Sequence, residues 1–430
     1  MRPVLVNSWD SRGGAARAAY RLHAGLRSIG VDSSMLVQVK HGEDPSVFGP
    51  RTAIGRLAAR LRPALDLLPV YAYPAGRTRR TFYPGWLPDR SLSRVQDIAP
   101  DLVHLHWITG GFVNVKALRK YRLPLVWTLH DMWAFTGGCH YDDGCGRYLS
   151  GCGSCPVLGS NARCDLSSLG FRRKTRAYRD LALSIVTPSR WLGERAQSSP
   201  LLAGFPVSVI PNAIDTDRFR PTAKDTARDL LRLPGGRKLI LFGAEHGANE
   251  PRKGFSHLQT ALRMLAERVG ASQCTAVVFG ASAPERPPDL GMPCAYVGRL
   301  NDDASLAALY SAADVFVAPS IQENLSNTVM EALACGTPCV AFDVGGMPDM
   351  IEHRRNGFLA RPFDAADLAD GLSWVLADEA RWRALGIRAR EKAVEEFEMS
   401  RVAHRHLELY RRILEPLEHQ AHPQSPGILR

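Results

Sequence analysis

The chain has 430 residues, 45% hydrophobic and 23% charged, enough apolar material for two α/β cores and too little polarity for disorder. Its 54 Lys and Arg against 43 Asp and Glu give a formal net charge of +11, which favours anionic partners. No apolar run approaches the roughly 18–20 residues of a membrane span, and no helix-turn-helix, zinc-finger or RNA-recognition signature accompanies the charge, so no nucleic acid partner is expected.

Met1-Arg2-Pro3 leads straight into the short apolar Val4–Val6 and then polar residues, unlike a secretory leader, so a cytoplasmic protein is expected. Nine cysteines in that reducing setting argue against a disulfide framework. Val4–Asn7 reads as the first strand, Ser11–Ala15 as a tight turn and Ala16–Ile29 as a helix. Gly13 and Gly14 let backbone N–H groups approach an anion, although the spacing is not G-x-G-x-x-G. Met35–Val39 is a second strand. Arg51–Leu68 carries Ile54, Leu57, Ala58, Leu61, Leu65 and Leu68 at helical spacing, with Arg51, Arg56, Arg60 and Arg62 among them. Such a helix either packs its apolar face on the domain or lies on an anionic membrane surface. Tyr71–Trp86, aromatic and arginine-rich with Pro74, Gly76, Pro84 and Gly85, reads as a long loop.

Asp101–Trp107 and Leu125–Asp131 are strands that end in polar residues. Ligands of open α/β sheets gather beyond the carboxyl ends of the strands, which makes His130, Asp131 and His106 candidate site residues. His104 points away from the face of Val103 and Leu105 and is assigned no role. An insertion over 138–164 holds Cys139, Cys145, Cys152 and Cys155 in the pattern C-x5-C-x6-C-x2-C, with His140 and Cys164 as spare ligands. Two readings stand: a tetrahedral structural zinc site, or cysteines that are reduced or disulfide-linked. Redox catalysis by Cys152 and Cys155 lacks the βαβ setting it needs. Leu183–Thr187 is a strand, and Val207–Pro221 reads as the crossing between two domains, with the boundary near Pro211.

Leu239–Gly243 opens the second half. The polar loop 247–254 contains Ala248, Arg252 and Lys253; a guanidinium fork beside a point charge suits a diphosphate. Phe255–Val269 is a helix, Ala276–Gly280 and Ala295–Gly298 are strands, and Gly298-Arg299-Leu300 precedes a helix over Asp303–Ala312. Next comes the most informative stretch, 314–349. Val315–Ala318 is a buried strand, Pro319 and Ser320 end it, Thr328–Cys335 has helical composition, Gly336 and Pro338 stop it, and Cys339–Phe342 is a strand again. Thr328 and Glu331 have capping-box spacing. A helix start beyond parallel strands offers free N–H groups to a phosphate. A carboxylate one turn inside, Glu331, can accept both hydrogen bonds of a cis-diol such as a ribose. A second, Glu323 in the loop Glu323-Asn324-Leu325-Ser326, can hold sugar hydroxyls. Together these parts describe a nucleotide-sugar site. Gly345 and Gly346 form a second ligand-facing turn. Helices are expected over 364–377, 379–397 and 401–414, with a frayed tail after 417.

Glu323-x7-Glu331, Ala-Cys335-Gly336-Thr-Pro338 and Gly345-Gly346-Met-Pro348-Asp349 closely resemble the motifs of the retaining family 4 glycosyltransferases, over about residues 3–398. The resemblance implies a GT-B fold, two Rossmann-like α/β domains facing a cleft. Residues 1–210 would be the acceptor domain, 211–398 the nucleotide-sugar domain, and 399–416 a helix crossing back to the first. It implies that Glu331 binds the ribose hydroxyls and Glu323 the donor sugar. Lys253 would hold the diphosphate, residues near Gly298 and Arg299 would approach the base, and His130 and the Gly13-Gly14 loop would face the cleft. In the family pattern an arginine stands where this chain has Ala248; Arg252 is its expected substitute. The cysteine loop resembles that of exopolysaccharide and colanic-acid-type members.

The activity so implied is metal-independent, cofactor-free transfer of a sugar, with retention, from a nucleoside-diphosphate sugar to a glycan or polyprenyl-pyrophosphate-linked acceptor. Tyr71–Trp86 would help shape the acceptor channel, and the setting would be bacterial surface polysaccharide synthesis, with the protein peripheral on the inner membrane face. The alternatives are a nucleotide-sugar epimerase of the same architecture and a non-catalytic nucleotide-sugar-binding partner.

Overall fold

The computed structural model describes residues 1–73, 82–243 and 250–421, with side chains to 415. Pro74 and Gly76 of the expected loop, Ala248 and most of the tail lie outside the described residues. The chain divides into two compact units. The first comprises 1–188, 192–210 and the C-terminal helix from Ser400, and the second 189–191 and 211–399.

The first unit is built on seven strands: β1 (Pro3–Trp9), β2 (Ser34–Val39), β3 (Val47–Phe48), β4 (Leu102–Leu105), β5 (Leu125–Thr128), β6 (Leu183–Thr187) and β7 (Val207–Val209). They lie in the order β3-β2-β1-β4-β5-β6-β7, every pair parallel. Helices α1 (Gly14–Ser28), α2 (Ala53–Asp66), α3 (Leu92–Ile98), α4 (Leu166–Tyr178) and α5 (Arg190–Ser198) connect them. The central strands are buried along their length, apart from the half-buried Trp9 at the end of β1. This is why they read as continuous apolar runs rather than alternating ones, as strands covered on both faces do.

The second unit has six strands: β8 (Lys238–Gly243), β9 (Cys274–Phe279), β10 (Cys294–Gly298), β11 (Val315–Ala318), β12 (Cys339–Phe342) and β13 (Gly357–Ala360). Their order is β10-β9-β8-β11-β12-β13, again all parallel. Its helices are α6 (Lys224–Leu230), α7 (Phe255–Val269), α8 (Asp303–Ala312), α9 (Asn327–Ala334), α10 (Met347–Met350), α11 (Ala365–Leu376) and α12 (Glu379–Lys392). Two apolar clusters cover the two faces of this sheet, one with Phe316, Met330 and Leu333 and the other with Val317, Leu262 and Leu372. The last helix, α13 (Met399–Ala421), belongs to the first unit, where the Tyr410 hydroxyl lies 2.6 Å from His104 Nδ1. No helix of the described residues is long and apolar enough to cross a membrane.

One local expectation is corrected, and one pair of alternatives is narrowed. Helix α9 is capped by Ser326, whose Oγ accepts from Val329 N, rather than by Thr328, which is already inside the helix. Both residues can cap; Ser326 has the extended backbone that an N-cap needs. The apolar stripe of α2 does not pack on its domain: Ile54, Leu57, Leu61, Leu65 and Leu68 are all exposed.

Candidate active site

Three loops meet at the carboxyl ends of the adjacent strands β8, β11 and β12 of the second unit. The turn Pro251–Lys253 follows β8, residues 319–326 follow β11, and 343–346 follow β12. Backbone bonds lock them together: Ile321 N donates to Arg252 O at 2.8 Å, and Gly346 N to Glu323 O at 3.1 Å. The approach is close enough to demand glycine. A Cβ on Gly345, where φ is +57°, would lie 1.9 Å from Glu323 O, and one on Gly346 would lie 1.8 Å from Asn324 O.

The side chains converge on one carboxylate. Lys253 Nζ donates to Glu323 Oε2 at 2.6 Å, and Arg252 Nη1 reaches the same oxygen at 3.4 Å. Arg252 also donates to Gln322 O at 2.9 Å and to Glu250 Oε1 at 2.7 Å. Burial by itself would raise the Glu323 carboxyl, but Lys253 first and then Arg252 outweigh it and hold it at about 2. The carboxylate is therefore ionised and acceptor-only across the physiological range. Asn324, Leu325 and Ser326 are buried and carry the chain into α9.

Glu331 sits in the second turn of α9 and is buried, 1% exposed. Tyr310, from α8, donates its hydroxyl to Glu331 Oε2 at 3.0 Å. Tyr310 is a residue that sequence reasoning missed: in the apolar row of α8 it reads as one more core aromatic, and only its contact reveals the polar tip. Arg299 is not brought into this group. It is exposed just beyond β10, the edge strand, three places from β11 in the sheet.

In the first unit, Gly13 has φ +88° and caps α1, so Gly14 opens the helix directly beyond β1. At the ends of β4 and β5, His106 Nδ1 lies 3.0 Å from His130 Nε2 with the rings stacked. Burial pushes His130 down to about 4, against the pull of Asp131. His106 falls well below its ordinary value for the same first reason. Both rings are thus neutral hydrogen-bonding groups at pH 7. Asp131 does not point its charge at a ligand: it accepts from Trp107 Nε1 at 3.0 Å and pairs with His140 Nδ1 at 2.6 Å. A small cavity of about 10 Å³, room for one water molecule, lies among His106, Trp107, Thr109, Trp127, His130 and Asp131. His106 Nε2 and Thr109 Oγ1 are buried there without a hydrogen-bond partner in the protein, a condition that calls for a polar guest. His104, assigned nothing from sequence, is a buried structural residue held between Tyr410 and Thr128.

With the geometry in view, comparison with known proteins is decisive. Residues 12–218 match the family described as Glycosyltransferase Family 4, and residues 237–378 match Glycosyl transferases group 1. A D-inositol 3-phosphate glycosyltransferase of Thermobispora bispora is 30% identical over 385 residues, covering 84% of each chain. The chain belongs to the family 4 glycosyltransferases. An α-maltose-1-phosphate synthase of Mycolicibacterium smegmatis is 31% identical over 237 residues, 50% of this glycosyltransferase and 59% of the relative. Among solved structures, sucrose-phosphate synthase from Thermosynechococcus elongatus aligns with a TM-score of 0.67 at 21% identity, covering 96% of this chain and 99% of that one. Anabaena HepE in complex with UDP and glucose aligns at 0.61 and 18% identity, covering 96% and 100%. These likenesses establish the GT-B fold.

The cysteine insertion of this glycosyltransferase does gather its four thiols. Cys139, Cys145, Cys152 and Cys155 line one small cavity of about 10 Å³. They are free thiols, yet among the described residues no group of three or more His, Cys, Asp or Glu side chains is arranged to hold a metal ion. Cys139 and Cys155 instead join an apolar cluster with Leu67, Phe82, Val157 and Leu158. Burial pushes the Cys139 thiol well up and Cys152 to about 11, the condition of inert packing thiols. His140, a spare ligand candidate, is committed to Asp131, and Cys164 is exposed.

Proposed function

We propose that this glycosyltransferase moves a sugar, with retention at the anomeric carbon, from a nucleoside-diphosphate sugar to a glycan or lipid-pyrophosphate-linked acceptor in the cytoplasm. The observation that carries the reading is the meeting of Lys253, Glu323, the Gly345-Gly346 turn and the amino end of α9 beyond three adjacent strands. Glu331 would take the ribose hydroxyls, held in its rotamer by Tyr310. Glu323 would take the sugar hydroxyls. Lys253, with Arg252, would meet the diphosphate.

In the reaction, the bond from the anomeric carbon to the diphosphate oxygen breaks as the acceptor oxygen bonds to that carbon on the same face. The acceptor proton passes to the departing diphosphate. Negative charge grows on the leaving group, and Lys253 and the positive amino end of the α9 dipole are placed to stabilise it. No carboxylate nucleophile and no cofactor enter these steps. The first unit is assigned acceptor recognition, through the neutral His130. The solved complexes of HepE with UDP and glucose support a nucleotide-sugar donor. The cysteine insertion and the basic charge support an anionic, carrier-linked acceptor of surface polysaccharide synthesis.

A thermal-shift screen against uridine, guanosine and adenosine diphosphate sugars identifies the donor. Titration of the Glu331→Ala protein with the hit then tests the site. The reading expects donor affinity to fall by at least tenfold, about 1.4 kcal/mol; unchanged affinity contradicts it.

A further inference from the structure

Helix α2 is amphipathic in the inverted sense. Its inward side is tied down by polar groups: Gln38 Nε2 donates to Ala59 O at 2.9 Å, Arg62 Nε to Gly111 O at 2.6 Å, and Trp86 N to the buried Asp66 at 3.2 Å. Its outward side is a row of large aliphatics. Ile54 is 82% exposed, Leu57 60%, Leu61 51%, Leu65 44% and Leu68, in the following turn, 54%. Steps of three, four, four and three residues put them on one stripe. Tyr71, in the turn that follows the helix, is also 40% exposed. A soluble surface rarely leaves so continuous an apolar row uncovered.

The charge around the row says what covers it. Arg51, Arg56 and Arg60 are exposed, and the one acid between 51 and 72, Asp66, is buried on the opposite side. At 100° per residue, Arg60 flanks the stripe on one side, and Arg51 stands at its amino end. Two such faces brought together in a dimer would set these guanidiniums against one another with no acid to separate them. An anionic lipid surface accepts both features at once: aliphatic side chains enter the acyl boundary while arginines meet headgroup phosphates and an interfacial aromatic anchors the end.

We propose that α2 and the turn after it dock this protein onto an anionic phospholipid surface. The docking does not rest on the donor chemistry above, and it is tested without any sugar.

The experiment is co-sedimentation of the full chain with vesicles of phosphatidylcholine alone and with 30% phosphatidylglycerol, about the anionic content that attracts basic segments. The wild type should bind the anionic vesicles and release from them as salt is raised. The double variant Leu57→Gln/Leu61→Gln should lose about tenfold in partitioning. Arg51→Gln/Arg60→Gln should lose binding to anionic vesicles while keeping the wild-type melting temperature, since both side chains are exposed and support no core. Wild-type indifference to anionic lipid overturns the proposal, as does undiminished binding in the leucine variant. So does a wild-type dimer that the leucine variant abolishes without any vesicle binding.

Discussion

Lys253 Nζ and Glu323 Oε2 stand 2.6 Å apart, so the cation proposed for the diphosphate and the carboxylate proposed for the sugar are partners before any ligand arrives. The pair lies across two loops and is itself held by backbone bonds between those loops. A donor would enter between charges that already hold each other in position, which lowers the ordering cost of binding.

Removing one partner should therefore do more than remove one contact. Lys253→Ala leaves Glu323 with the more distant Arg252 and the Asn324 N–H, and the expected result is a fall in kcat/KM of at least tenfold, about 1.4 kcal/mol of transition-state stabilisation. Steady-state kinetics with the identified donor measures it. Because Glu323 is held at about 2, below its ordinary 4.5, its ionised form is kept until the pH falls through about 2. The pH–rate profile should consequently show no limb near 4.5 from this residue. Such a limb, lost in Glu323→Gln, would contradict the assignment.

Tyr310→Phe removes only the hydroxyl that Glu331 accepts from. A buried carboxylate deprived of a donor costs about 1–3 kcal/mol. Denaturant unfolding should show that loss, and calorimetric titration should show weaker donor binding, because Glu331 loses one of the groups that orient it.

Much of this was legible in the sequence. The strand, loop and helix between 314 and 349 could be read because buried parallel strands are short apolar runs and because glycine and proline mark the stops. What escaped was whatever depends on distant pairing. His104 and Tyr410 are 306 residues apart, and nothing local ties a histidine of one strand to a tyrosine of the last helix. The direction of α2 escaped for another reason: periodicity reveals a stripe but not whether protein or solvent meets it. The cysteine insertion shows the same limit, since C-x5-C-x6-C-x2-C fixes spacing along the chain and not what the gathered thiols hold.

Gly345→Ala tests the close packing of the two loops. The new methyl would collide with Glu323 O, and φ of +57° disfavours any side chain. The expected loss is about 1–3 kcal/mol of stability, with donor binding weakened through displacement of Glu323. Thermal unfolding and donor titration of the same sample measure both.

Acid should loosen the first unit. Burial lowers His23, His130 and His406 to about 4 from an ordinary 6.5, and His104 and His106 fall well below it. Between those values the unfolded chain binds protons that the folded one refuses. Stability is thus complete above about pH 6.5 and declines as the pH drops towards 4. Melting temperatures taken from pH 7.5 to 4.5 should fall steadily, and His406→Gln should flatten the slope.

The most direct measurement is the crystal structure of the protein with the nucleoside-diphosphate sugar that the screen selects. The account predicts ribose hydroxyls on Glu331, the sugar ring against Glu323 and the diphosphate at Lys253 and the start of α9. A donor bound with its ribose and sugar away from both carboxylates would contradict it.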